Sequence, residues 1–181
     1  MNRDHARAGM NMPAVVVGNL NLLRCFEGPG IRVVLASSKA NRVAFFSRIA
    51  DKTLEIPGPT STPQEFVEAL LSLGRSLEPL RPVLFYDGDA DLLCISRNRD
   101  EIGRYFRFNL PSASLVEALL DKSAFSHFAL ERALPVPRTY AVIKHGEATD
   151  IAADICYPVL IKPVSRVGWF ASELSKFLGK G

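Results

Sequence analysis

A parallel α/β sheet covered on both faces, followed by a smaller and incomplete α+β segment, is the fold class that the sequence predicts. Short apolar runs recur from Ala14 to Tyr86, helical apolar stripes alternate with them, and glycine, proline or a capping residue stands at most junctions. Continuous apolar strands are what a sheet buried on both sides requires; a half-exposed sheet would alternate apolar and polar residues. Strands that alternate with helical patterns point to parallel crossovers.

Ala14 to Val17 is the first expected strand. Gly18-Asn19 turns the chain into a helix carrying Leu20, Leu23 and Phe26, and Gly28-Pro29-Gly30 ends it. Ile31 to Ala36 reads as the second strand, followed by a short helix near Ala40 to Phe46 and a third strand at Thr53 to Ile56. Thr62-Pro63-Gln64-Glu65 is a helix start, with Thr62 as cap, Pro63 in the first turn and Glu65 placed for a capping box. Phe66, Val67, Leu70, Leu71 and Leu77 form its stripe, Pro79 and Pro82 close it, and Val83 to Tyr86 is the fourth strand. From Ala90 to Tyr105 the pattern is helical with a break near Arg97 to Asp100, and Phe106 to Leu110 is extended. Ser112 or Ser114 caps the next helix, which holds Leu115, Val116, Leu119 and Leu120. Arg138 to Ile143 and Tyr157 to Lys162 are expected as strands of a second, smaller sheet, with a polar helix or loop near Gly146 to Asp154. Trp169, Phe170, Leu174, Phe177 and Leu178 recur at helical spacing and need an apolar surface to cover them.

The 181 residues are 48% apolar, enough for a sizeable core, and the net charge of +3 comes from 22 basic and 19 acidic residues without a block of one sign. That balance argues against nucleic acid or an anionic membrane surface as partner. Cys25, Cys94 and Cys156 are odd in number and widely spaced, matching neither a zinc site nor a disulfide framework, so a reducing cytoplasm is the expected setting. The uncharged stretch from Met12 to Leu23 is too short to span a bilayer. Residues 1–12 read as a disordered tail.

The most specific chemical signal is a pair of lysines. Lys122 follows Asp121, a helix-capping residue, in Leu120-Asp121-Lys122-Ser123-Ala124-Phe125, with Ala124, Phe125, Phe128, Ala129 and Ala133 as the apolar face. Lys162 ends the apolar run Tyr157-Pro158-Val159-Leu160-Ile161 and precedes Pro163. Two fixed ammonium groups suit a polyphosphate, each contact being worth roughly 4 kcal/mol at about 4 Å and an effective dielectric near 20, before desolvation. For Lys122 alone a solvated surface residue is the ordinary reading; for Lys162 that reading is weaker, because a lysine that ends an apolar strand usually faces a cleft or an edge.

With the connector Leu134-Pro135-Val136-Pro137 between them, these motifs resemble the ATP-grasp superfamily, most of all its carboxylate-amine ligase branch, from about Pro13 onward. The resemblance implies a Rossmann-like pre-ATP-grasp domain over residues 13–115 and the N-terminal part of an ATP-grasp domain over 116–181, truncated. It further implies that Lys122 and Lys162 contact the phosphates of ATP. The ligands of Mg²⁺ belong to a second half of that domain for which these residues hold no counterpart. In such ligases ATP phosphorylates a carboxylate and an amine then displaces phosphate, so the expectation here is an N-terminal ligase portion inactive by itself. Its first domain helps to form the acceptor-substrate site, which makes Gly18, Asn19, Ser47, Arg48 and Asp89 the substrate-binding candidates. A plain tight turn is the favoured account of Gly18-Asn19, since the three-glycine dinucleotide fingerprint is absent, and a surface arginine is the ordinary account of Arg48.

Other readings compete. Asp87-Gly88-Asp89-Ala90-Asp91 after a strand could chelate a divalent metal, as in a glycosyltransferase using Asp87 and Asp89, or could simply be an acidic turn with Asp89 or Asp91 capping the next helix. A non-catalytic nucleotide- or partner-binding module, docking or self-associating through the apolar C-terminal helix, is the other alternative. His5, His127 and His145 lack ligand spacing, and His127 reads as a half-buried packing residue beside Phe128.

Overall fold

The computed structural model of the chain describes residues 12–28, 30–140, 151, 155–160, 162 and 169. Contacts between backbone positions divide it into two compact units, Met1–Ala113 and Ser114–Gly181.

The first unit is built on four strands, β1 (Ala14–Val17), β2 (Val33–Ser37), β3 (Lys52–Glu55) and β4 (Val83–Tyr86). Their order is β3-β2-β1-β4 and every pairing is parallel. All residues of β1 and β2 are buried, as their apolar composition demands. Side chains alternate between two cores. Val15, Val17, Val34, Ala36 and Leu84 face one that includes Phe66, Leu70, Ile95, Ile102 and Phe106; Val16, Val33 and Leu35 face the other, with Leu23 and Ala44. β3 is an edge strand whose Lys52 and Glu55 are exposed, charges that discourage pairing with another chain.

On the second core lie α1 (Leu20–Arg24) and a 3₁₀ segment, Lys39–Phe46, kinked at Asn41. On the first lie α2 (Pro63–Ser76), α3 (Asp89–Arg97) and α4 (Arg99–Tyr105). Pro63 opens α2 as expected, but Thr62 makes no side-chain cap; its hydroxyl instead lies 3.5 Å from the Gly58 carbonyl. The expected break between α3 and α4 falls at Asn98, where the amide donates to the Cys94 carbonyl at 2.9 Å. Beyond α4 the chain returns to the sheet. Arg107 N–H donates to the Pro82 carbonyl at 2.9 Å and its own carbonyl accepts from Leu84 at 2.8 Å, an isolated parallel bridge beside β4.

In the second unit α5 (Ala113–Leu120) leads out of the junction and α6 (Lys122–Glu131) follows. Asp121 caps α6 as its sequence foretells, accepting from Ala124 N–H at 2.9 Å. Ala129 is the buried residue of α6, while the Arg132 guanidinium lies 3.9 Å from the centre of the Phe128 ring. His127 is exposed, not half-buried, because the buried stripe of α6 runs through Ala129 on another side of the helix. The strand expected at 157–162 is absent among the described residues there. Tyr157 and Leu160 are 83% and 76% exposed, and residues 155–160 and 162 join no ladder. An apolar run becomes a strand only where a neighbour satisfies its backbone, and residues 138–140 supply no such neighbour. The expected elements at 141–143 and 146–150, and the helix from 170 to 178, lie outside the described residues.

α2 and α4 approach closely because position 74 lacks a side chain. A Cβ there would stand 2.5 Å from Tyr105 Cβ and 3.0 Å from the Phe106 ring. Gly74→Val is therefore expected to destabilise the chain by about 2–3 kcal/mol through overpacking, read as a lowered urea midpoint with unchanged slope.

Candidate functional site

Strand register assembles the site. Val17 pairs with Ala36 of β2 on one side and with Tyr86 of β4 on the other, so the next residues, Gly18, Ser37 and Asp87, leave the sheet side by side at its carboxyl edge. This is also where the connections diverge, since β1 leads to β2 on one side while β3 crosses to β4 on the other. Open parallel sheets form crevices at such a point.

Hydrogen bonds fix the row. Ser37, buried at the end of β2, donates its hydroxyl to the Gly18 carbonyl at 2.6 Å. Asn19 serves twice: its Oδ1 accepts from Asn21 and Leu22 N–H at 2.7 and 3.3 Å, capping α1, and its Nδ2 donates to Asp87 Oδ2 at 2.6 Å. Glycine is needed at position 18 because a Cβ would stand 2.7 Å from Asp87 Oδ1.

Behind this row lies a cavity of about 220 Å³ whose walls include Gly18, Ser37, Asn41, Thr60 and Asp91, with Val17, Ile56 and Phe66 as apolar floor. Asp91 is the third residue of α3, and its Oδ2 accepts from the Gly88 N–H at 3.2 Å. Burial first, and the charge of Asp87 second, push its carboxyl up to about 6, against the pull of the Gly88 hydrogen bond. Burial and the nearby Asp91 also raise the Cys94 thiol, leaving it a weak nucleophile. Hydroxyls, an amide and the raised carboxyl of Asp91 line the crevice, and among the described residues no lysine or arginine does.

Of the residues singled out from sequence, Gly18 and Asn19 meet at this edge. Asp89 does not take part in its hydrogen bonds: it is the exposed first residue of α3, and Asp87 and Asp91 form the acidic side instead. Neither Asp89 nor Asp91 is the cap of α3; Gly88 is, in extended conformation, with Asp91 reaching back to its N–H. Ser47 and Arg48 line a different concavity, of about 720 Å³, beside α1 and the 3₁₀ segment. Ser47 Oγ is engaged in its own turn, 3.3 Å from Ile49 N–H. Lys122 is the half-buried first residue of α6, and Lys162 is exposed. Among the described residues no three His, Cys, Asp or Glu side chains are grouped to hold a metal ion. Asp91 and Ser37 were missed by sequence reasoning; the signal for Asp91 was its place three residues after a glycine cap, and Ser37 required the strand register.

The fold is shared with solved ligases, carboxylases and a ribonucleotide synthetase. An L-amino acid ligase from Bacillus licheniformis superposes with a TM-score of 0.65 at 13% identity over 86% of this chain and 38% of that one. The biotin carboxylase domain of the Hydrogenobacter thermophilus 2-oxoglutarate carboxylase, solved with MgADP and bicarbonate, gives 0.56 at 21% identity over 82% and 34%. An N5-carboxyaminoimidazole ribonucleotide synthetase in its ADP complex gives 0.52 at 14% over 81% and 37%. The chain thus has the parallel α/β fold of the matching part of these proteins, as expected from sequence, and spans a little over a third of their length. No protein-family model matches the chain, and no curated protein does.

Because Asp91 holds its proton to about pH 6 when folded but releases it near 3.8 when unfolded, stability falls as pH rises through that window. Asp91→Asn, which keeps an oxygen for Gly88, is expected to gain on the order of 1–2 kcal/mol over the parent chain above the window and almost nothing below it. Urea unfolding across that pH range checks this; a pH-independent difference would refute it.

Proposed function

We propose that these residues are the leading portion of an ATP-dependent carboxylate-amine ligase, with the crevice at the carboxyl edge of β1 and β4 as part of its acceptor-substrate site. The observation that carries this reading is the superposition on the L-amino acid ligase over 86% of the chain, with Lys122 standing at the start of a helix capped by Asp121. Lys122 and Lys162 would neutralise charge on the ATP phosphates, which is where such enzymes place their electrostatic stabilisation. Gly18 lines the substrate crevice and Asn19 braces its edge through Asp87, while Asp91 faces the substrate's polar groups. ATP supplies the phosphoryl group that activates a carboxylate, and its Mg²⁺ would be held by residues outside the described set. A cytoplasmic setting, where ATP is abundant, goes with this reading.

Calorimetric titration of the 181-residue chain with ATP and with ADP tests it. Binding is expected, weakened about tenfold by Lys122→Ala and by Lys162→Ala, as for loss of one charge-assisted contact. No amide-forming turnover with ATP and a panel of amino acids is expected from this chain alone. Absence of nucleotide binding, or binding indifferent to both substitutions, would favour a non-catalytic docking module.

A further inference from the structure

Between α4 and α5 the chain leaves the first unit as an extended strap, residues 106–112, and its two halves are fastened differently. The first half is built in. Phe106 is buried in the larger core, and the Arg107 backbone is bonded on both sides, to the Pro82 carbonyl and to Leu84 N–H. The second half hangs on two side chains. The Tyr86 hydroxyl donates to the Asn109 carbonyl at 3.2 Å, and the Arg99 guanidinium donates through Nη1 to the Pro111 carbonyl at 2.8 Å; both bonds are exposed to solvent. Ser96 aims the guanidinium, its carbonyl accepting from Nε at 3.0 Å and its buried hydroxyl from Nη2 at 2.6 Å. Burial raises the Tyr86 phenol and the charge of Arg99 opposes that rise, so the two groups act in one cluster.

We infer that the strap is a latch with two states. In one, Tyr86 and Arg99 hold residues 109–111 against the first unit; in the other they let go while Phe106 and Arg107 stay in place, so the chain pivots at Phe108 and not at the start of α5. The argument lies in what each half costs to open. Water can take over hydrogen bonds that already lie at the surface, and Phe108 and Leu110 are only half-buried against the core. Withdrawing Phe106 would instead uncover a whole aromatic ring and break two backbone bonds. Opening therefore stops at Phe108. Release adds residues 108–112 to the free connection, each worth about 3.4 Å of extended chain. The inference concerns the first unit alone and does not depend on the ligase reading.

Chymotrypsin digestion of the 181-residue chain, with each cut located by mass spectrometry, tests this. The Phe108–Asn109 bond reports release of the latch, and the Phe106–Arg107 bond reports loss of the built-in half. In the parent chain cleavage after Phe108 is expected to outpace cleavage after Phe106, and to rise with urea far less steeply than global unfolding does. Arg99→Ala should speed the cut after Phe108 about tenfold, as for loss of a charge-assisted bond, and Tyr86→Phe about fivefold, as for loss of a neutral one. Arg99→Lys, which keeps the charge without the planar fork, should fall between the parent and Arg99→Ala. Cleavage after Phe106 should change only as far as the urea midpoint of each variant does, which separates latch release from general weakening. Equal rates at the two bonds with the urea slope of global unfolding, or a Phe108 cut indifferent to both Arg99→Ala and Tyr86→Phe, would overturn the proposal.

Discussion

The hydrogen-bonded row Gly18, Ser37 and Asp87 depends on one constraint, the register of three parallel strands. Because β1 is central and both its neighbours run parallel to it, the residues that follow it must share the carboxyl edge with those that end β2 and follow β4. Burial of β1 and β2 on both faces fixes that register, since a slip by one residue would turn Val15 and Val17 toward the wrong core. The crevice is therefore held by the hydrophobic core beneath it. Its polar groups add direction more than stability.

Polar economy at the edge follows from the same packing. Ser37 is buried, and its hydroxyl would be costly there without the Gly18 carbonyl 2.6 Å away. Asn19 must cap α1 and hold Asp87 with one amide group, which leaves Asp91 to face the cavity under Asp87's field. Asp87 is tied by the Asn19 amide, while burial first and the charge of Asp87 second raise the Asp91 carboxyl.

Much of this was legible in the sequence because the signals were local. The strands at Ala14–Val17 and Val83–Tyr86, the break at Asn98 and the Asp121 cap each follow from a few adjacent residues. What stayed hidden needed contacts between distant residues. Asn19 and Asp87 are 68 positions apart, and no periodicity announces their pairing. Asp89 stood out as part of an acidic turn after a strand, as in the resembled ligases; in the fold it is the exposed first residue of α3, and Asp91, two residues later, reaches back to Gly88. Ser47 and Arg48 came forward through the resemblance to the ligases, and they line the other concavity, past the carboxyl edge, as Asp51 N–H donating to the Val33 carbonyl at the start of β2 makes plain. The run at 157–160 failed as a strand for the converse reason: apolar composition permits an extended chain, and only a partner makes it a strand.

The two faces of the sheet divide the labour. The face carrying α2, α3 and α4 has the larger core, with Phe66, Leu70, Ile95, Ile102 and Phe106 all shielded from solvent, and it supplies both the floor of the crevice and the helix that positions Asp91. The face carrying α1 has a thinner cover, because α1 ends at Arg24 and the 3₁₀ segment buries only Ala44. Short helices hide less apolar surface, so Phe46 and Val43 are left in water and Phe26 is steadied by an edge contact to Phe85, with ring centres 4.9 Å apart. The crevice thus stands on the better-packed face, and the exposed Val43 and Phe46 lie on the other.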